Sequence, residues 1–146
     1  WVLEKLVQDS VQAVVVTALQ HRNIPGAWLQ QLSDDRSPIV RKAVCQNVNI
    51  SLITLEKLST DQDPAVRNAV AMHPTTSHDL LVNLATDIDP TVLLAVVQHP
   101  RADRSLLLEF SKYDQDLQIR KIARDRLIPL LQGEIREDIL ERWENQ

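Results

Sequence analysis

Apolar residues recur along this chain in short stripes with helical spacing. Val66, Ala69 and Val70 occupy positions i, i+3 and i+4, which lie on one face of an α-helix. The same stripe stands 26 residues earlier, at 40, 43 and 44, and 26 residues later, at 92, 95 and 96. A Leu-x-x-Leu pair such as Leu55 and Leu58 precedes each stripe. This pattern predicts pairs of short amphipathic helices.

Proline residues set the period of the pattern. Pro38, Pro64 and Pro90 begin the second helix of three units and are 26 residues apart in both steps. The register extends back to Val14 and, by one 27-residue step, forward to Ile119. Five repeated units are therefore predicted. We expect one domain over 1–146, with units at about 1–23, 24–49, 50–75, 76–101 and 102–128 and a cap at 129–146.

Each second helix carries a start signal. Asp63 and Asp89, with Ser37 in one copy, precede the prolines and are expected to be N-caps, because their side-chain oxygens accept hydrogen bonds from free backbone N–H groups. Pro74 and Pro100 follow the helices and are expected to stop them, since a residue before proline avoids helical geometry.

Helices of about ten residues are marginal in water on their own. Stacking many such units buries every apolar stripe, so the predicted fold class is all-α, an α-solenoid of about five two-helix repeats. The segment 134–146 places Ile135, Ile139, Leu140 and Trp143 on one face. It is predicted to be an amphipathic helix that caps the last repeat.

The repeated motif resembles a known family. Leu-x-x-Leu, followed by Asp-x-Asp-Pro-x-Val-Arg-x-Ala-Val and His-Pro, is similar to the leucine-rich repeat variant, a short relative of HEAT-type helical repeats. The match spans about 1–126 and is best at 51–100. The resemblance implies a right-handed superhelix that commonly holds proteins. An Asp–Arg spacing typical of HEAT units is kept by Asp61 and Arg67, whereas Leu93 replaces the arginine that would follow Asp87.

Composition excludes several functions. Only two glycines are present, so neither a dinucleotide fingerprint nor a phosphate-binding P-loop can be built. A net charge of −4 gives no reason to expect DNA or an anionic membrane as the main partner. No apolar run approaches the roughly 20 residues of a membrane span. The chain begins with Trp1 rather than Met, and we expect it to be part of a larger chain.

Neither a metal nor another cofactor is expected. Asp61 and Asp63 match the first acidic positions of a calcium-binding loop. Val66 and Met72 stand where that loop needs glycine and glutamate, so a calcium site is not predicted. His21, His73 and His99 share one repeat position with Asn47, but stacked helices are about 8–10 Å apart, too far for one zinc ion. These side chains are instead predicted to cap carbonyls at helix C-termini.

The remaining reactive residues do not predict catalysis. Cys45 shares a repeat position with Leu19, Ala71 and Val97, so it is predicted to be a buried, inert thiol in a reducing, cytoplasmic protein. No nucleophile or acid–base motif is recognisable, and we do not expect an enzyme. The basic run 120–126 is interpreted as a solvated helix face rather than a phosphate site.

Departures from the repeat suggest a binding surface. Leu94 is expected to face away from the core, with Leu93 and Met72 close to it and Asn68 and Ile39 at the flanks. We predict that these five residues form an apolar patch on the concave second-helix face, which binds a protein partner as a non-catalytic scaffold or adaptor.

A second interpretation of that surface stays open beside the binding patch. In it, Leu93 packs into a neighbouring unit and Leu94 is a lone exposed leucine. Two alternative functions also remain, a nucleic-acid-binding HEAT-like module and an accessory protein for a metalloenzyme, the latter suggested by the resemblance alone.

Overall fold

The computed structural model describes residues 2–9, 11–113, 116–131, 139–140 and 142–143. All regular secondary structure in these ranges is helical, and they contain no strand. The α-helices are α1 Val2–Val7, α2 Gln12–Leu19, α3 Gly26–Leu32, α4 Pro38–Cys45, α5 Leu52–Leu58, α6 Pro64–Met72, α7 His78–Leu84, α8 Pro90–Gln98, α9 Arg104–Tyr113 and α10 Leu117–Leu127, followed by the 3₁₀ turn Ile128–Leu130. None of the described helices is both long and apolar enough to cross a bilayer.

The helices alternate as the two-helix repeat requires, so the all-α solenoid is confirmed. The shorter first helix of each described unit is α-helical. The apolar stripe of the third unit is buried, with Val66, Ala69 and Val70 at 0%, 7% and 0% exposure. The handedness of the superhelix and the numbered division into units remain predictions.

Consecutive units contact each other mainly through their second helices, in the pairs α2–α4, α4–α6, α6–α8 and α8–α10. The first helices pack chiefly against the helices that adjoin them in sequence. The second helices therefore form the main line of contact along the stack, and their position on its concave side remains a prediction.

The helix starts follow the sequence with one exception. The Asp63 and Asp89 side chains accept hydrogen bonds from the N–H groups of Ala65 and Thr91, as N-caps should. Ser37 occupies the N-cap position of α4 but makes no side-chain cap, so that prediction is wrong. Its Oγ is hydrogen-bonded to the Gln12 side-chain amide of the preceding unit instead.

The helix ends also match the expectation. α6 and α8 end one residue before His73 and His99, and both histidines have extended backbone geometry ahead of their prolines. At the C-terminal end of the stack, Ile139 and Trp143 are helical and pack, half-buried, against the core. Leu140 is likewise helical and half-buried. Ile135 lies outside the described residues, as do 132–138, 141 and 144–146 of the predicted cap and Asp114 of the fifth unit.

Candidate functional site

The second helices present one outward stripe in each unit. Residues at i, i+3 and i+7 share a helix face, so the stripe of the three middle units comprises Ile39, Lys42, Gln46, Ala65, Asn68, Met72, Thr91, Leu94 and Gln98. We call these nine residues the second-helix face. All are exposed except Asn68 and Leu94, which are half-buried. Lys42 is its only charged member.

A groove of about 430 Å³ lies on this face between α4 and α6. One wall is formed by Lys42 and Gln46 of α4, and the other by Asn68 and Met72 of α6. The Met72 side chain is 67% exposed, and methionine is a flexible apolar group that adapts to irregular partners. The groove therefore combines an accessible apolar contact with neutral and basic polar groups.

The Asn68 side chain is held in place by the next unit. Its Nδ2 donates a hydrogen bond of 2.7 Å to the backbone carbonyl of Thr91 at the start of α8. The amide oxygen is not used in that bond, so it remains an acceptor at the edge of the groove.

Four of the five residues predicted as a binding patch belong to the second-helix face, and the groove on that face is lined by two of them. Asn68 and Met72 line the groove together, whereas Ile39 is 58% exposed but lies one turn before Lys42, outside the groove lining. Leu93 and Leu94 are both half-buried and pack against the core. The expectation that Leu94 faces away from the core holds only in part, because the half-buried side chain also packs against the core.

The acidic pairs between the helices join consecutive units. Asp61 accepts two hydrogen bonds from the Arg41 guanidinium of the preceding unit, at 2.6 and 2.8 Å from Nε and Nη2. Asp87 is paired with Arg67 at the same two distances. Each arginine also donates from Nη1 to a backbone carbonyl of its own unit, as Arg67 does to Asp61. We call this arrangement the Asp–Arg ladder.

The ladder is well shielded and holds its acids ionised. Burial raises the pKa of Asp61, but the hydrogen bonds from Arg41 and from the Asp63 N–H outweigh burial, and the net pKa is lowered. The hydrogen bond from Arg67 lowers the pKa of Asp87. These acids are structural ties between units, which accounts for the paired aspartates without calcium. Leu93 cannot continue the ladder, as predicted from the sequence.

The histidine position forms a second series of ties, which we call the carbonyl ladder. His99 Nε2 donates to the His73 carbonyl at 3.1 Å, and its Nδ1 accepts the Arg101 N–H, which fixes the tautomer. Asn47 Nδ2 donates in the same way to the carbonyls of Leu19 and His21. The predicted capping role therefore holds for His99 and Asn47, each acting on the preceding unit, whereas the rings of His21 and His73 donate no hydrogen bond to a carbonyl of the described residues.

Arg126 completes the carbonyl ladder and was missed by the sequence analysis. Its Nη1 donates to the His99 carbonyl at 2.9 Å and to the Val97 carbonyl at 2.5 Å, matching the bonds of Asn47. The 27-residue step of the last unit puts Arg126 at the histidine position. That register was the signal that could have identified it.

The two inner histidines are neutral. Burial lowers the pKa of both His73 and His99. The His73 Nε2 is buried and makes no hydrogen bond in the described structure. The nearby Asn47 backbone raises the pKa of the ring, but burial outweighs this effect. A proton added to either ring would be buried, and at His99 it would also lie near the charges of Arg101 and Arg126, so both rings favour the neutral form.

The cysteine and the basic run that the sequence singled out are buried or make structural contacts. Cys45 is fully buried, and burial raises the pKa of its thiol to about 12, so it is inert at neutral pH. No group of three or more metal-binding side chains occurs in the described residues. In the basic run, Arg124 stacks 4.9 Å from the Trp143 ring and Arg126 belongs to the carbonyl ladder.

Comparisons with known proteins give one structural likeness. The chain is similar to a solved protein described as a leucine-rich repeat variant with a novel repetitive protein structural motif, at 26% sequence identity and a TM-score of 0.49. The likeness covers 86% of this chain and 60% of that protein, so this chain spans about 60% of its length. No family model and no curated protein matches.

Proposed function

We propose that this chain is a non-catalytic scaffold that binds a protein partner along its second-helix face. The observation that supports this most directly is the groove between α4 and α6, where the 67% exposed Met72 stands beside Asn68, Gln46 and Lys42. An exposed apolar side chain within a polar rim is the usual composition of a protein-binding site.

The shape of the face favours an elongated partner segment. Its stripes lie on neighbouring helices, which pack about 8–10 Å apart, and they repeat from unit to unit. A helix or extended peptide laid across them contacts one stripe in each unit, with its best apolar contact at Met72. Rigid stacking supplies this surface without a folding cost on binding.

The charge of the face favours protein over nucleic acid. Among its nine residues only Lys42 is charged, whereas binding to a phosphate backbone depends on several lysines or arginines. A reducing, cytoplasmic location is part of the proposal, and the single buried Cys45 supports it.

A peptide selection tests this function. A displayed library of random 16-residue peptides is selected against the chain, and the affinity of enriched peptides is measured by fluorescence anisotropy. Met72→Glu places a charge in the groove, and we expect at least tenfold weaker binding, or about 1.4 kcal/mol. Ile88→Glu is the matched control, because Ile88 is 95% exposed in the loop before α8 and does not line the groove.

Two results would contradict the proposal. One is a set of selected peptides whose affinity is equal for wild type and Met72→Glu while Ile88→Glu weakens it. The other is tight, salt-dependent retention of a random-sequence 30-nucleotide DNA or RNA in a gel-shift assay without any peptide binding, which favours the nucleic-acid alternative.

A further inference from the structure

The first unit leaves uncovered four repeat positions that every middle unit buries. These positions are Leu3, Val14, Thr17 and His21. Leu3 and Val14 are half-buried, and Thr17 and His21 are exposed. Their counterparts at 26-residue steps are at most 7% exposed, namely Leu29, Leu55, Leu81, Val40, Val66, Val92, Ala43, Ala69, Ala95, Asn47, His73 and His99.

In the middle units the cover over these positions includes the preceding unit. Ala69 faces the groove between α4 and α6, opposite residues of α4. His99 reaches the carbonyl of His73 in the unit before it. The burial difference at the first unit is therefore what removal of one preceding unit leaves behind.

The uncovered positions form a defined groove. It has a volume of about 430 Å³, lies between α1 and α2, and is lined mainly by apolar side chains, including Leu3, Leu6, Val14 and Ala18. His21 closes one end of it.

The His21 ring has the same orientation relative to its own loop as the histidine rings of the third and fourth units. Its Nδ1 accepts the Asn23 N–H at 3.2 Å. The rings of His73 and His99 make the same bond to the residue two positions on, at 3.3 and 3.1 Å. In His99 this leaves Nε2 to donate to the preceding unit, whereas the His21 Nε2 has no hydrogen-bond partner in the described part of the chain.

We infer that the groove between α1 and α2 docks a further helical unit of the same 26-residue type. This unit lies N-terminal to α1 in the same polypeptide. The backbone carbonyl that follows its second helix accepts a hydrogen bond from His21 Nε2, and its apolar side chains cover Leu3, Val14 and Thr17. This inference concerns the end of the stack and does not depend on the proposed partner-binding face.

A second copy of the chain fits the groove less well. Head-to-tail stacking needs an open last unit, but Ile139 and Trp143 pack over the core at that end, and Arg124 stacks on the Trp143 ring. These two side chains occupy core surface that a stacked second copy would need, which favours a unit supplied by the same chain.

The first test adds such a unit. A copy of residues 50–78 fused ahead of Trp1 keeps the 26-residue register and brings the carbonyl of the copied His73 to the place that His73 has relative to His99. We expect a higher Tm, at least tenfold slower amide exchange in α2, and a slowly exchanging His21 Nε2–H resonance in the NMR spectrum. The matched control carries Thr17→Arg, which the 146-residue chain tolerates because Thr17 is exposed.

The outcomes are distinguishable. If the added unit stays unprotected from exchange, or if Thr17→Arg leaves its docking intact, the inference is overturned. It is also overturned if the unfused chain dimerises in sedimentation equilibrium and Thr17→Arg abolishes the dimer, because a second copy then covers the groove.

The second test reads the coding sequence upstream of residue 1. The inference expects a Leu-x-x-Leu pair and an apolar i, i+3, i+4 stripe 26 residues before those of the first unit. An upstream sequence without that stripe overturns it.

Discussion

The third and fourth units, α5 to α8, and the first unit, α1 and α2, carry the same repeat pattern but differ in what covers them. Leu81 in the fourth unit is fully buried, while Leu3 at the same repeat position is half-buried. The fourth unit is tied to the third by the Arg67–Asp87 pair, whereas Val15 stands at the corresponding arginine position of the first unit. The comparison teaches that burial in a repeat array belongs to the contact between units rather than to the residue type.

Truncation of the shared leucine gives the largest expected contrast. Leu81→Ala should lower the free energy of unfolding by about 3 kcal/mol, because the lost methyl groups leave a cavity in a closed core. Leu3→Ala should cost about 1 kcal/mol, since its site is partly open. Urea unfolding followed by circular dichroism measures both. Equal losses would show that the first unit is as well covered as the fourth.

Removal of an inter-unit arginine gives the next effect. Arg67→Met leaves Asp87 without its charged partner, although the Asp87 side chain is only 7% exposed, and we expect a loss of about 2 kcal/mol. The control is Lys57→Met, which breaks the exposed pair with Asp34 and should cost no more than about 1 kcal/mol. If both variants lose the same stability, the Asp–Arg ladder does not join the units.

Substitutions in the carbonyl ladder sharpen the comparison further. His99→Ala leaves the His73 carbonyl buried without a donor and should cost about 1–2 kcal/mol. His99→Asn introduces the residue that stands at this position in the second unit, and it should restore part of the loss. His21→Ala should change stability by less than about 0.5 kcal/mol, because the ring is exposed. Thermal unfolding of the three variants ranks them, and a large loss for His21→Ala would contradict the comparison.

The smallest effect is a pH dependence of the middle units. Burial lowers the pKa of folded His73 and His99 below the ordinary 6.5, so the unfolded chain binds protons first as the pH falls. Stability should therefore decrease from pH 6.5 downwards until the lowered pKa values are passed. The lowered pKa values of Asp61 and Asp87 cause a separate loss below about pH 3.8.

The double variant His73→Asn with His99→Asn isolates the histidine part of that dependence. Denaturant midpoints measured between pH 7 and pH 5 should vary less for the variant than for wild type. An unchanged slope would mean that the buried histidines do not titrate on unfolding in this range.

Sequence periodicity predicted the helices, their prolines and the caps by Asp63 and Asp89, because these features depend on residues close together in the chain. It did not predict that the Ser37 hydroxyl bonds the Gln12 side chain instead of capping α4, since this bond depends on a side chain 25 residues away. The candidate binding patch was predicted only in part. Asn68 and Met72 share a groove, but Leu93 and Leu94 are half-buried against the core, which the helical wheel of a single helix does not show.

The sequence by itself determined that this protein is a stack of short helical pairs, because its apolar stripes, caps and prolines repeat at one spacing and no pair can bury its own stripe. Only the tertiary structure decided whether each arginine, asparagine and histidine bonds within its own unit or to a neighbouring unit, since a 26-residue repeat allows both. Only the stacked structure also distinguished the closed C-terminal end from the open groove at α1 and α2. Identical repeat positions acquire different burial when one neighbour is present and the other is not.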